Sequence, residues 1–462
     1  MDIRFTLQAE YAGSQYIAGP FNLSGTTDTN ITYELATNVP KSSLLTGHTI
    51  TTPYNITGGT IGSLGVCLNT QNYVLTFSSG PIIIGNFANY SGYSDNGIVK
   101  LKNDLSNDFT FNVGDGFVPV SSGNTGPMSI AKTTNGKIVV AGVFNKYDGF
   151  NTAGPFGYSG VIRLNPDGSR DYTFSGSGIN ILSASTIFAV ACQSDGKVLL
   201  AGAQTQVITN ITSNSGTLIR LNIDGSPDTT FNNSVANSAA QMDGTVRLIT
   251  ILTGDSENIL IAGNFNRGIM KFKPTGLLDG TFNSPSTQRT PNGLGSITSM
   301  VLDSGGRVMV GGSFTSWSTV SVTNPVRMNY NGDIDTWRPT CNGPVTSMVE
   351  QSGNKVVLVG DFTTVSGTSR PIIARVNPAG LIDTSFIPNV SASTYNTLAW
   401  VPGFKIYTLS DGNMLFMGES ILSVNSVANT KYVVRLTSEG VPIPPVINYF
   451  PEARSYRGAV SF

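Results

Sequence analysis

Short apolar packets, four or five residues long, alternate along most of this chain with polar stretches rich in Gly, Asn, Ser and Thr. A packet ending in glycine recurs at Ile82–Gly85, Ile138–Gly142, Val198–Gly202, Ile259–Gly263, Val308–Gly312, Val356–Gly360 and Met414–Gly418. Each is followed by a second element in which a cation sits between apolar residues. The cations are Lys100, Arg163, Arg220, Lys271, Arg327, Arg375 and Arg435, spaced 48 to 63 residues apart. Packets of this length between turn residues read as strands, not helices. A repeat of this period built from short strands predicts a radial array of small sheets.

The unit from Ile187 to Phe231 shows the reasoning. Ile187–Ala191 is an apolar inner strand, and Asp195-Gly196 is a hairpin signal. Val198–Gly202 is the second strand, Leu218–Leu221 the third, and Asn222–Ser226 turns the chain again. Pro227–Phe231 then reads as a fourth, outer strand, where an edge tolerates proline. That last element recurs as Asp108–Phe111, Asp171–Phe174, Asp279–Phe282 and Asp383–Phe386, and in shortened form as Asp335–Trp337. The glycine ending each second strand marks a bulge or a close backbone approach. The prediction is an all-β chain: a seven-bladed β-propeller of four-stranded blades over residues 71–440, preceded by a small β-sandwich over 1–70. After Arg435 the outer element is missing. The strand completing that blade is expected from the C-terminal segment, around Val441–Ile447, within an extended arm over 441–462.

Composition narrows the function classes. Charged residues make up 12% and the formal net charge is −1, which removes the usual electrostatic case for nucleic acid; the balance leaves room for a local patch, but no Lys/Arg run is present. No apolar run approaches the ~20 residues of a membrane span. The opening Met1–Phe5 lacks the pattern of a secretory signal, which points to synthesis in a cytoplasm. Cys67, Cys192 and Cys341 lie far apart and form no metal-binding pair, so they are expected as small buried side chains.

The repeat itself carries a resemblance. Gly-x-Phe (Gly263–Phe265, Gly312–Phe314, Gly360–Phe362), with Arg163–Ser169 and Arg220–Ser226 and the Asp-Thr-Thr-Phe element, resembles the delta-60 repeat β-propellers of bacteria and viruses over roughly residues 73–440. That resemblance implies a fold and is nearly silent on activity. Blade seven departs from it, with Gly418-Glu419-Ser420 in place of Gly-x-Phe. Residues 1–70 (Gly19–Asn22, Leu35–Val39, Leu44–Gly47) resemble small modules of tailed-phage virion proteins.

Candidate chemistry is sparse. One aspartate per repeat is a symmetric device, whereas acid–base catalysis needs two carboxylates in unlike surroundings. These aspartates are expected to cap turns or pair with the repeated cations. Asn165–Asp171 and Asn222–Asp228 echo a calcium loop but lack its terminal glutamate, so they read as polar turns. His48 is the single histidine and stands outside the propeller, which rules out a His-based triad within it. No cofactor or metal site is expected. The loops between second and third strands vary most. Their aromatics, Tyr147, Phe150, Phe156, Tyr158 and Trp317, are the candidate binding residues for a partner protein or a sugar.

The function expected is a non-enzymatic structural component of a tailed-phage virion, in the tail, baseplate or fibre. Residues 1–70 would dock it to the particle, and its loops would meet other virion proteins, further copies of the chain or a host-surface glycan. The competing expectations are a bacterial propeller that binds or cleaves polysaccharide, and an intracellular interaction scaffold.

Overall fold

The computed structural model describes residues 3–11, 14–23, 56–57, 74–85, 87, 89–90, 93–119, 126–151, 160–174, 186–202, 217–236, 242, 244–265, 267–282, 297–317, 320–392, 404–418, 421–424, 427–428 and 432–443. The chain divides into two compact units, Met1–Thr52 with Ile447–Phe462, and Pro53–Val446. In the first, Ile3–Tyr11 and Ser14–Leu23 form an antiparallel hairpin with a register shift between Phe5 and Leu7. Of the rest of the expected sandwich, Ile56–Thr57 is described and pairs within the second unit, while His48 and Cys67 lie outside the described residues.

The second unit is an all-β β-propeller body. Among the described residues, seven three-stranded antiparallel sheets share one plan, with the glycine-ended packet as the middle strand. The first sheet is Val74–Phe77, Gly80–Ile84 and Ile98–Lys100. The second is Pro127–Lys132, Ile138–Gly142 and Gly160–Leu164. The third is Ile187–Cys192, Val198–Gly202 and Leu218–Leu221. The fourth is Thr245–Leu252, Asn258–Asn264 and Ile269–Phe272. The fifth is Ile297–Leu302, Val308–Gly312 and Val326–Met328. The sixth is Val345–Gln351, Lys355–Gly360 and Ile373–Val376. The seventh is Phe404–Thr408, Met414–Gly418 and Tyr432–Leu436.

Middle strands such as Ile138–Gly142 and Val198–Gly202 are buried at every residue. A strand covered on both faces reads as a continuous apolar run rather than an alternating one. Side chains of adjacent sheets interlock at each seam. Val139 and Val161 of the second sheet join Val190 and Val198 of the third, and Val357 and Ile373 of the sixth join Phe404 and Phe416 of the seventh. One cluster holds Leu415 and Met417 of the seventh sheet together with Ile82 and Val99 of the first and Ile130 of the second. Each fully buried side chain of this size contributes about 1.5–3 kcal/mol.

The terminal glycines have a steric reason. In five sheets the inner strand is bulged beside them, between Pro127 and Ser129, Ile187 and Ala189, Val246 and Leu248, Ile297 and Ser299, and Val345 and Ser347. At Gly360 a Cβ would lie 2.1 Å from the Pro344 carbonyl oxygen, and at Gly263 2.2 Å from that of Thr245. The phenylalanine two residues on (Phe144, Phe265, Phe314, Phe362) is buried in each case.

The expected fourth strand is not a strand. It is a single bridge, Leu164 with Arg170 or Leu221 with Pro227, followed by a turn. The aspartate ends it. In Asp171, Oδ1 accepts hydrogen bonds from the Thr173 amide at 3.0 Å and hydroxyl at 2.6 Å, which bends the backbone out of the ladder. In the third repeat the segment becomes a helix, Thr229–Ala236, because Asp228 Oδ1 accepts from the Phe231 amide at 3.1 Å and caps it.

The seventh sheet receives its bridge from the C-terminal segment. Leu436 pairs with Pro442, and the Ile443 amide donates to the Arg435 carbonyl as Asp383 does to that of Arg375. A second pairing comes from upstream. After the second sheet's middle strand, Phe144–Tyr147 pairs with Phe117–Pro119, which follows the first repeat's aromatic. Val390–Ala392 pairs likewise with Ile421–Val424 in the seventh repeat, and Cys341 with Val365 in the sixth. For the first repeat, Asn89–Tyr90 takes its partner from Ile56–Thr57, ahead of the first sheet. Two residues assigned by sequence to the N-terminal module thus fill a place that a preceding repeat would otherwise supply.

Candidate interaction surface

The recurring charged residues converge within each repeat. The third-strand cation meets the aspartate eight positions on: Lys100 with Asp108 at 3.0 Å, Arg163 with Asp171 at 2.6 Å, Lys271 with Asp279 at 3.0 Å, Arg327 with Asp335 at 2.7 Å and Arg375 with Asp383 at 2.9 Å. Each aspartate divides its oxygens. Oδ1 closes its own turn, and Oδ2 takes the cation. The cation also lies over the aromatic that follows, 4.8 Å from Phe174, 4.1 Å from Phe231, 5.5 Å from Trp337 and 4.7 Å from Phe386.

The free end of the cation reaches the next repeat. Arg163 donates to the Ile223 carbonyl at 2.6 Å, Arg220 to Pro274 at 2.6 Å, Lys271 to Tyr330 at 2.8 Å and Arg375 to Ser438 at 2.8 Å. All four acceptors occupy the same place in a third-strand turn. The charge is therefore a staple between neighbouring sheets. Burial alone would raise the Asp171 carboxyl, but hydrogen bonds from Lys137, Thr173 and Arg163 outweigh it and hold it well below the usual range. The Ser385 hydroxyl does most for Asp383, against burial, with Lys355 and Arg375 adding to it. The seventh repeat has Ile443 where the aspartate would stand, and Arg435 pairs instead with Asp411 of the first turn.

The calcium-like loop is a polar turn. Asp167 Oδ1 accepts from the Ser169 amide at 3.0 Å and hydroxyl at 2.6 Å, while Asn165 donates to Ser169. Among the described residues no group of three or more His, Cys, Asp or Glu is gathered to hold a metal. Cys341 is buried and Cys192 half-buried, and burial pushes both thiols up to about 12.

The aromatic loop residues separate into two kinds. Tyr147 and Trp317, expected as displayed binding residues, are 1% and 3% exposed. Each sits on a short hairpin folded back over its sheet. Tyr147 Oη donates to the Gly168 carbonyl at 2.7 Å, and Trp317 Nε1 to the Gly332 carbonyl at 3.2 Å. These glycines occupy equivalent turns, so both rings lock a hairpin to its own sheet. Phe156 and Tyr158 lie outside the described residues. Phe150 does face solvent, 42% exposed.

Phe150 is joined by two residues that sequence reasoning passed over. Tyr172 is 67% exposed and meets Phe150 edge-on at 5.8 Å. The Arg170 guanidinium lies 5.4 Å from the Phe150 ring and 5.3 Å from that of Tyr172. Its Nε is buried and makes no hydrogen bond among the described residues. Arg170 and Tyr172 flank the structural Asp171. Their alternation with it was the available signal, since neighbours in an extended segment face opposite ways. Aromatic faces beside a guanidinium form a surface for stacking and hydrogen bonding with a sugar ring or a partner side chain. Among the described residues no helix is long and apolar enough to cross a membrane.

Residues 82–111, 133–174, 193–231 and 351–386 match the family described as Domain of unknown function (DUF5122) beta-propeller. No curated protein matches the chain. Among solved structures, it is similar to the WD40 beta propeller domain of Doa1, at 10% identity, with 78% of this chain and 88% of that one covered and a TM-score of 0.41. Virginiamycin B lyase from Staphylococcus aureus is similar at 11% identity, covering 75% and 92% of the two chains with a TM-score of 0.37. A gluconolactonase from Xanthomonas campestris is similar at 12% identity, covering 70% and 93% with a TM-score of 0.33. The chain is an all-β protein of β-propeller fold, and the four matched segments each contain a third-strand cation, its aspartate and its aromatic.

Proposed function

We propose that the protein is a seven-bladed, ring-closed β-propeller that works by contact rather than by catalysis, as a structural component of a tailed-phage virion. The observation that carries the contact reading is the use made of the repeated charges. The third-strand cations and their aspartates are consumed as staples between sheets, while Phe150, Arg170 and Tyr172 gather beside the second sheet, on a hairpin and a turn, with two rings exposed. The resemblance of residues 1–70 to virion modules supports the placement in tail, baseplate or fibre, with that module as the docking part. Other virion proteins and further copies of the chain are the proposed partners. Mass spectrometry of purified particles tests this, together with a chain lacking residues 1–52, which keeps Ile56–Thr57 beside Asn89–Tyr90. The full chain is expected in the particle and the shortened one is expected to be lost from it. Incorporation unchanged by the deletion would refute the docking role.

A polysaccharide-binding or polysaccharide-cleaving propeller is the second reading, and the exposed Phe150–Arg170–Tyr172 surface is what favours it. A glycan array with the full chain and Tyr172→Ala separates the two. Glycan binding lost in the variant, with depolymerisation in a viscosity assay, would favour a lyase. Binding without depolymerisation fits host-surface contact by a virion protein.

A further inference from the structure

The inner strands of the first, fourth, fifth, sixth and seventh sheets line a cavity of about 450 Å³, a volume that suits a small molecule. Its wall combines hydroxyls (Thr76, Thr250, Ser299) with aliphatic side chains and carries one cation, Lys405. The repeat shows how unusual that lysine is. The inner-strand residue opposite the one preceding the terminal glycine is Ser129, Ala189, Leu248, Ser299 or Ser347 in sheets two to six. In the seventh sheet it is Lys405, opposite Met417. A repeat that breaks its own rule at a buried place is where function is expected.

Lys405 is 3% exposed, and Nζ donates to the Thr346 carbonyl at 3.1 Å. Among the described residues no carboxylate pairs with it. Glu350, the one acid in the cavity wall, is held by the Ser304 amide at 2.7 Å and hydroxyl at 3.0 Å, and by Asn354. Tyr407 is the other titratable group of the wall. An amine taken out of water with a carbonyl acceptor and no counter-ion favours its neutral form, and burial lowers Lys405 to about 7. A neutral amine is a nucleophile toward carbonyl carbon.

We propose that this cavity captures small uncharged aldehydes, with Lys405 Nζ as the amine that binds them as an imine. The Nζ lone pair attacks the carbonyl carbon and a C–N bond forms. The carbonyl oxygen takes up two protons, one of them from the amine, and leaves as water. The remaining N–H proton returns to solvent, and C=N results. The step is reversible and needs no oxidant or reductant. It adds a ligand to a body proposed to work by contact, and its test is independent of virion incorporation.

The test uses the full chain with benzaldehyde as probe, trapping by cyanoborohydride, and peptide mass mapping from pH 6 to 9. An ordinary lysine titrates near 10.4, so at pH 7 a group at about 7 holds roughly 1,000 times more free amine. Lys405 is expected to be alkylated at least about 100-fold faster than the exposed Lys273, with its rate rising through about pH 7. Labelling of Lys405 no faster than Lys273 in the folded protein overturns the proposal. Lys405→Met, with its fold checked by circular dichroism, is expected to lose the fast phase and keep the slow surface labelling. A fast phase that persists in that variant overturns the proposal equally. If the variant does not fold, the site mapping and pH profile of the unaltered chain decide.

Discussion

Arg375→Met is the most informative single substitution. The Arg375 side chain is 2% exposed and pairs with Asp383 at 2.9 Å within its own sheet. Across the seam it donates to the Ser438 carbonyl at 2.8 Å and pairs with Glu439 at 2.7 Å. Glu439 is 60% exposed, so that contact contributes little. Asp383 is 12% exposed and, once the guanidinium is gone, keeps the Ser385 hydrogen bonds on Oδ1 but only the more exposed Lys355 as a cation. Removing one partner of such a pair costs about 3–5 kcal/mol. Methionine restores the packing over Phe386, so the loss is electrostatic. With an unfolding entropy of about 2.1 cal/mol/K per residue over Pro53–Val446, the slope is about 0.8 kcal/mol per degree. The expected fall in Tm is therefore about 4–6 °C by calorimetry. Asp383→Asn keeps an acceptor for the turn and loses only the charge, so it should cost about half as much. The double mutant should show a coupling of at least about 1 kcal/mol, since the two sites share one contact. A change under about 1 °C for Arg375→Met, or additive effects, would show that the repeated cations are not staples.

The aspartates bring a pH dependence. Asp108, Asp171, Asp228, Asp279 and Asp383 all sit below their ordinary values, so their stabilisation is fully present above about pH 4 and is lost as pH falls further. Asp171→Asn should flatten the acid limb of a denaturant titration between pH 5 and 3, and an unchanged limb would contradict this. Lys405 acts in the same direction, in a higher pH window. Its folded value of about 7 lies below the unfolded one, so the folded state binds fewer protons and stability rises with pH between about 7 and 10. Lys405→Met should remove up to ~1.4 kcal/mol per pH unit of that slope. Gly360→Ala places a Cβ against the Pro344 carbonyl and should cost more than about 2 kcal/mol in urea unfolding. Native-state alkylation with iodoacetamide at pH 8 should leave Cys192 and Cys341 unlabelled until the chain unfolds, because both thiols stay protonated.

The repeat, the middle strands, the glycine close approaches and the aspartate–cation pairing were all legible in residue order, because each is local and recurs. The fourth strand was misread for a physical reason. Asp-x-Thr-Phe alternates like a strand, but the short carboxylate of Asp171 competes for the backbone amide two positions on and ends the ladder. Tyr147 and Trp317 were misplaced because they lie in polar loop sequence, and only the fold shows those hairpins turning back onto the turn glycines. The role of Ile56–Thr57 was hidden because two residues carry no periodicity of their own. Lys405 carries no repeat signal in residue order, and its oddity lies in the register, where the same position holds serine or an apolar residue in sheets two to six.

Native-state hydrogen exchange on the first and seventh sheets tests ring closure most directly. If Val74–Phe77 and Phe404–Thr408 are inner strands of a closed ring, their amides exchange as slowly as those of Val345–Gln351 in the sixth sheet. Fast exchange confined to the first and seventh sheets would mean an open array with two free ends, and the closed propeller would have to be given up.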